Sequence, residues 1–148
     1  MGTGGPKPLW PFTISMIWHL FINSIVFEFG TGSFSADGQV FFFTICSGLT
    51  GEDATNRCEI FRGSRNASGV WSQPERLSAE INLPESNNTF PSVFIGPDGL
   101  AVLYFASDRP GGKGGMDIYV STQLRAEDPS KFAAARPLSR VINTVSDE

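Results

Sequence analysis

The chain has 148 residues and a net charge of −4, and 41% of its residues are apolar. This acidic balance supplies no basic patch for nucleic acid and no polybasic segment for anionic lipid, so neither is expected as a partner. The length suits one domain, and 16 glycines with 10 prolines are typical of a turn-rich, all-β chain.

Residues 1–32 form an apolar N-terminal segment with several interpretations. Lys7 followed by the apolar residues 16–27 fits a secretory signal, with a small-residue cleavage site at 30–32. Residues 9–29 are also long enough for a membrane anchor, although polar residues such as His19 interrupt them. Apolar residues at every second position over 10–22 fit instead the strands of a degenerate repeat. A misread start of the gene would also explain the segment.

Residues 33–148 contain the landmarks of one β unit twice. The turns Asp37-Gly38 and Asp98-Gly99 each precede a run of branched and aromatic residues that suits a strand. The Ile-Asn pairs at 81–82 and 142–143 have the same spacing as these turns, and the triplets at 59–61 and 117–119 are only slightly closer together. Such a near-constant offset indicates a repeat. We therefore predict an all-β fold of two four-stranded antiparallel sheets, residues 33–90 and 91–148, stacked face to face.

These motifs resemble the blades of a bacterial WD-repeat-like, TolB-like β-propeller. The resemblance covers about residues 33–148 and rests on SADG at 35–38, GPDG at 96–99, LYFASDR at 103–109, DIYVS at 117–121 and the tails at 71–82 and 136–144. It implies an incomplete propeller of two blades, because propellers have about four to eight, so the chain is expected to be a fragment, a truncated gene product or part of a larger assembly. In this family Asp108, Arg109 and Asp117 correspond to polar blade residues, which implies bonds across the blade. One departure is the alanine run 133–135, which favours helix over the outer strand of the second blade.

Cys46 and Cys58 are the only cysteines, and they lie at the end of one predicted strand and the start of the next. Such positions of an antiparallel hairpin can face each other, so we expect a disulfide, with two unrelated thiols as the alternative. The bond would imply an oxidising compartment. Two cysteines and the single, distant His19 are too few ligands for zinc, and no metal or cofactor is expected.

The sequence shows no catalytic constellation. Gly-x-Ser-x-Gly is absent, and the only histidine lies outside the repeats, so a Ser-His-Asp triad is not expected. We therefore expect a non-enzymatic module that binds proteins through the loops 46–58 and 109–116. The alternative is the accessory propeller of a hydrolase, a peptidase or glycosidase, whose catalytic domain is absent from this chain.

The resemblance also implies a place and partners for the protein. It points to the bacterial periplasm or cell envelope, with envelope proteins as partners and membrane contact only if residues 1–32 are an anchor. Two blades leave sheet faces and edges uncovered, so self-association or poor solubility of the isolated chain is expected.

Overall fold

The computed structural model describes residues 27–47 and 57–146, which form nine β-strands and no helix. The strands are β1 (Phe27–Phe34), β2 (Val40–Ser47), β3 (Arg57–Ser64), β4 (Glu75–Arg76), β5 (Asn88–Ile95), β6 (Ala101–Ser107), β7 (Asp117–Arg125), β8 (Asp128–Phe132) and β9 (Arg136–Pro137). They build two sheets with the orders β1-β2-β3-β4 and β5-β6-β7-β8, and β9 also pairs with β7. Every pairing is antiparallel, so the predicted all-β fold of two antiparallel sheets is confirmed.

The second sheet has five strands, and the prediction of four was wrong. Residues 128–132 fold back on the end of β7 and bury Phe132, whose ring meets that of Phe42 edge-on at 6.3 Å between centroids. The predicted helical tendency of residues 133–135 was also wrong, because these residues form an irregular connection between β8 and β9, in which the Ala133 amide donates to the carbonyl of Thr122. Burial of Phe132 on one side and strand pairing on the other outweigh the weak helix propensity of alanine.

The two Asp-Gly turns have the same hydrogen bonds. The amide of Gly38 donates to the carbonyl of Ser35 at 2.8 Å, and the amide of Gly99 donates to that of Gly96 at 2.9 Å. Each glycine has a positive φ, 68° and 77° respectively, which a side chain would disfavour. The repeat seen in the sequence is therefore a repeat of local structure.

The hydrophobic core lies between the two sheets. Four fully buried or nearly buried side chains come from the first sheet and its C-terminal connection, and five come from the second: Phe42, Ile60, Leu77, Ile81, Ala101, Leu103, Phe105, Tyr119 and Phe132. Strand β5 lies against β1, β2 and β3, which brings the second sheet over the first. Removal of these apolar side chains from water supplies most of the force that holds the sheets together.

Both sheets begin earlier than the boundaries placed by the sequence. The first sheet starts at Phe27 instead of residue 33, and the second starts at Asn88 instead of residue 91. Most of the segment 1–32 lies outside the described residues, so its interpretations stay predictions. Within the described part of the chain, no helix is long and apolar enough to cross a membrane.

The disulfide predicted between Cys46 and Cys58 is confirmed. The two cysteines are paired across β2 and β3, and their sulfur atoms are bonded. The loop that the bond closes joins the end of β2 to the start of β3, and its residues 48–56 lie outside the described residues.

Removing this disulfide is expected to lower the free energy of unfolding. The bond joins cysteines with a sequence separation of 12, and closing a loop of that size restricts the unfolded chain by about 2–3 kcal/mol. The C46S/C58S double variant should therefore show a lower urea midpoint with an unchanged far-UV spectrum. An unchanged midpoint in the oxidised and reduced protein would contradict the expectation.

Candidate binding surfaces

The face of the second sheet that points away from the first is apolar and partly exposed. Directly paired residues lie on the same face of a sheet, so Phe94, Val102 and Thr122 share this outer face, as do Tyr104 and Val120. Phe94 is 59% exposed and Tyr104 is 39% exposed. Large aromatic side chains grouped on one exposed sheet face are typical of an interaction surface.

Two buried asparagines, Asn82 and Asn143, occupy matching positions in the segments that follow β4 and β9. The Asn82 side chain accepts from the amide of Ile60 at 2.7 Å and donates to its carbonyl at 2.8 Å. The Asn143 side chain binds both backbone groups of Ile118 in the same way, at 3.0 and 2.9 Å. Ile118 therefore corresponds to Ile60, and each asparagine clamps the third strand of its own sheet.

The strand register shows which residues of β2 correspond to those of β6. Phe42 of β2 pairs with Ser33, and Val102 of β6 pairs with Phe94. The number of positions from Ser33 to Phe94 equals the number that separates the two Asp-Gly turns. The spacing from Phe42 to Val102, however, is shorter by one position. The turn before β2 holds one more residue than the turn before β6. The amide of Ser35 donates to the carbonyl of Val40, five residues ahead, whereas the amide of Gly96 donates to the carbonyl of Leu100, four residues ahead.

The buried face of the first sheet thus corresponds to the outer face of the second. Phe42 is 2% exposed and Ile60 is 0% exposed beneath the second sheet, whereas their counterparts Val102 and Ile118 are only partly buried. The contrast is largest after β4 and β9, where Ile81 is 0% exposed and its counterpart Ile142 is 45% exposed. The same positions are covered in one unit and uncovered in the next.

Arg109 joins the two sheets across their interface. Its guanidinium donates to the carbonyls of Glu80 and Ile81 in the connection after β4, the first at 3.0 Å. It also donates to Asn88 Oδ1 at 2.7 Å and to Ser107 Oγ at 3.1 Å. Arg109 is 8% exposed, and this burial lowers the pKa of its guanidinium. The cation is held by neutral oxygen atoms of both sheets.

Two aromatic rings flank the same guanidinium. Its carbon lies 4.8 Å from the ring centroid of Phe105 and 4.9 Å from that of Tyr119, which adds cation–π attraction. The Tyr119 hydroxyl donates to the carbonyl of Arg109 at 3.2 Å. Burial, followed by the nearby charge of Asp117, raises the pKa of the Tyr119 phenol.

Asp108 and Asp117 also bond to neighbouring residues of the protein. Asp108 accepts from the amide and the side chain of Asn87 at 2.6 and 2.8 Å. Asp117 is 1% exposed, and its Oδ2 accepts from the amides of Lys113 and Gly114 at 2.5 and 3.0 Å. A Cβ at Gly112 would collide with the same oxygen, so the loop closes over Asp117 only with glycine there.

The turn acids Asp37 and Asp98 each accept from a backbone amide two residues ahead, of Gln39 at 3.0 Å and of Leu100 at 3.1 Å. The hydroxyl of Ser35 and then the amide of Gln39 hold the pKa of Asp37 below its ordinary value. Both carboxylates therefore take part in turn geometry.

The two loops predicted as contact surfaces differ in what the structure describes. Arg109 is buried between the sheets, so only the middle of its loop, including Pro110 and Lys113, is exposed or partly exposed. Residues 48–56 of the other loop lie outside the described residues, and its role stays a prediction.

Sequence reasoning missed the role of Asn82 and Asn143, although the spacing of the Ile-Asn pairs marked their positions. It also missed Arg62, a buried arginine of β3 that faces the second sheet. In the described part of the chain, no three His, Cys, Asp or Glu side chains group closely enough to hold a metal ion. No known protein-family profile and no curated protein matches the sequence.

Proposed function

We propose that the two sheets are successive blades of a TolB-like, WD-repeat-like β-propeller and that the chain is a non-enzymatic, protein-binding module of the bacterial cell envelope. The observation that carries the proposal is the correspondence between the buried face of the first sheet and the exposed face of the second. Units that pack front to back in this way leave an open face for the next unit, as blades do.

The occupant of the open face is a further sheet of the same repeat. Phe94, Val102 and Tyr104 supply its apolar contact, as Phe42 and its neighbours do between the two sheets present. The carbonyls of Glu80 and Ile81 accept hydrogen bonds from Arg109. Their counterparts in the second unit are Val141 and Ile142, whose side chains are 88% and 45% exposed. An arginine of a third sheet would bind the carbonyls of these two residues in the same way.

The polar side chains support a scaffold role. Asn82, Asn143 and Asp117 bond backbone groups of the protein itself, and Arg109 bonds backbone carbonyls and two side chains. Such a framework presents loops rigidly, and loops on a rigid framework commonly carry binding. The disulfide supports a place outside the cytoplasm, where such bonds persist, and the periplasm is the compartment that we propose.

The open face predicts self-association of the isolated chain. In sedimentation, the weight-average mass should rise above the 16.0 kDa of the monomer as the concentration increases. The F94K/Y104K variant places two cations on the open face and should remain near the monomer mass, because burying unpaired charges is costly.

The control for this experiment is V70K, which changes a 53% exposed side chain between β3 and β4 of the first sheet. It should associate as the original chain does. A concentration-independent monomer, or equal effects of the control and the double variant, would refute the open face as a docking surface.

A further inference from the structure

A cleft opens between the two sheets, and both Asp-Gly turns contribute to it through Asp37 and Gly99. Its volume is about 240 Å³, just below the range of about 300–1,000 Å³ that is usual for drug-sized ligands. The cleft therefore suits a smaller molecule. It is distinct from the outer face of the second sheet, and its ligand does not depend on blade docking.

Arg62 lies in the wall of this cleft as a buried cation. It pairs with Phe42 across β2 and β3, is 7% exposed and faces the second sheet. Its Nη1 donates to Glu75 Oε2 at 3.0 Å, and the Glu75 side chain is half exposed. The Nε–H of Arg62 is buried and has no hydrogen-bond partner among the described residues.

Packing of the sheet does not require a cation at this position. Spacing from Ile118 gives Val120 as the counterpart of Arg62, and strand pairing gives Thr122, because Phe42 pairs with Arg62 and its counterpart Val102 pairs with Thr122. Both are uncharged side chains on the outer face of the second sheet. Burying a guanidinium whose donors are incompletely used is costly, and one hydrogen bond to a half-exposed carboxylate offsets only part of that cost. An anionic group in the cleft would offset the rest of that cost by accepting from the guanidinium.

The rest of the cleft indicates the kind of anion. Gln123 is already engaged, since its Oε1 accepts from the amide of Ala101 and its Nε2 donates to the carbonyl of Arg125. Much of the remaining wall is apolar, with Val40 and Ile95 among its residues. A ligand that fits therefore has one anionic group and an apolar body.

Asp37 restricts the charge of that ligand. Asp37 lines the cleft, and its carboxylate is ionised at neutral pH, as an aspartate with an ordinary pKa would also be. A negative charge among the lining residues of the cleft repels dianions such as phosphate monoesters more than it repels monoanions. The planar fork of a guanidinium also matches the two oxygens of a carboxylate.

We propose that the cleft binds a small monocarboxylate with an apolar body, and that Arg62 is the residue that binds the carboxylate. Two kinds of ligand carry such a carboxylate beside an apolar group: a free organic acid and the C-terminal residue of a peptide.

Binding is tested by NMR titration of the isotope-labelled chain with N-acetyl-L-leucine, 3-phenylpropanoate and acetate, each beside its neutral amide. We expect saturable shifts of the Val40 and Ala101 amides with the two larger acids, and binding of each matching amide weaker by about 10- to 100-fold, the value of a charge-assisted hydrogen bond. Failure of every acid to saturate, or equal binding of acids and amides, would overturn the proposal.

Variants add a second measurement. R62M should weaken binding of the acids by about 10- to 100-fold, and R57Q, on the same strand but paired with Glu85 at 3.9 Å, should leave it unchanged. D37N should strengthen binding by a few-fold while D98N does not, because only Asp37 lines the cleft. Equal losses in R62M and R57Q would refute the role of Arg62, and the comparison of acids with amides decides the proposal if R62M does not fold.

The two sources are distinguished with N-acetyl-Ala-Ala-Leu. Binding tighter than that of N-acetyl-L-leucine supports a peptide C-terminus as the ligand, and equal or weaker binding supports a free acid.

Discussion

Replacing Arg109 with methionine is expected to lower the free energy of unfolding by about 3–5 kcal/mol. Methionine keeps much of the side-chain volume between the rings of Phe105 and Tyr119 but removes every donor. The carbonyls of Glu80 and Ile81 then lose a partner, and so does Asn88 Oδ1. Because these acceptors belong to both sheets, the loss falls on the interface as well as on one strand.

The measurement is equilibrium unfolding in urea, followed by tryptophan fluorescence and by far-UV circular dichroism. The control is R140M, since Arg140 is exposed in the segment after β9. We expect a change of less than about 0.5 kcal/mol for the control, as for other exposed substitutions. A loss below about 1 kcal/mol in R109M would show that Arg109 does not hold the two sheets together.

The second large effect is expected at the paired asparagines. N82A should lower the free energy of unfolding by about 2–4 kcal/mol, because it leaves the amide and the carbonyl of Ile60 buried without partners. N143A should have a similar but smaller effect at Ile118. Asn82 makes one more bond than Asn143 does, to the carbonyl of Leu77 just after β4, at 3.1 Å.

Two further variants test the mechanism at Asn82. N82D keeps an acceptor for the Ile60 amide but turns a second oxygen towards the carbonyls of Ile60 and Leu77, so it should be no more stable than N82A. N66A is the matched control, since Asn66 makes one exposed bond to the Val70 amide at 2.9 Å. If N82A costs no more than N66A in urea unfolding, the asparagine clamp is not a stabilising feature.

Local patterns were enough to predict much of the fold. The turns at Asp37 and Asp98 follow from residue types that favour tight turns, and the strands after them follow from branched and aromatic runs. The bond between Cys46 and Cys58 followed from their places at the ends of neighbouring strands. Strand β8 could not be predicted in this way, because its residues 128–132 have weak strand propensity and are held by burial of Phe132.

The candidate sites were harder to predict from the sequence than the strands and turns were. Arg109 was identified through a family resemblance, but its contact with Glu80 and Ile81 joins residues far apart in the chain, at an interface between two sheets. Arg62 has no local pattern that sets it apart from an exposed arginine. Only the second sheet buries it and forms the cleft beside it.

The amino-acid sequence by itself determined that the chain forms two similar β units with matching turns and matching Ile-Asn pairs, because backbone propensities and spacing act locally. Only the tertiary structure decided which face of each unit is buried. The spacing of the turns alone would match Phe42 with Leu103, whereas one additional residue before β2 matches it with Val102. Side chains alternate along a strand, so a shift of one residue exchanges the core face for the open face.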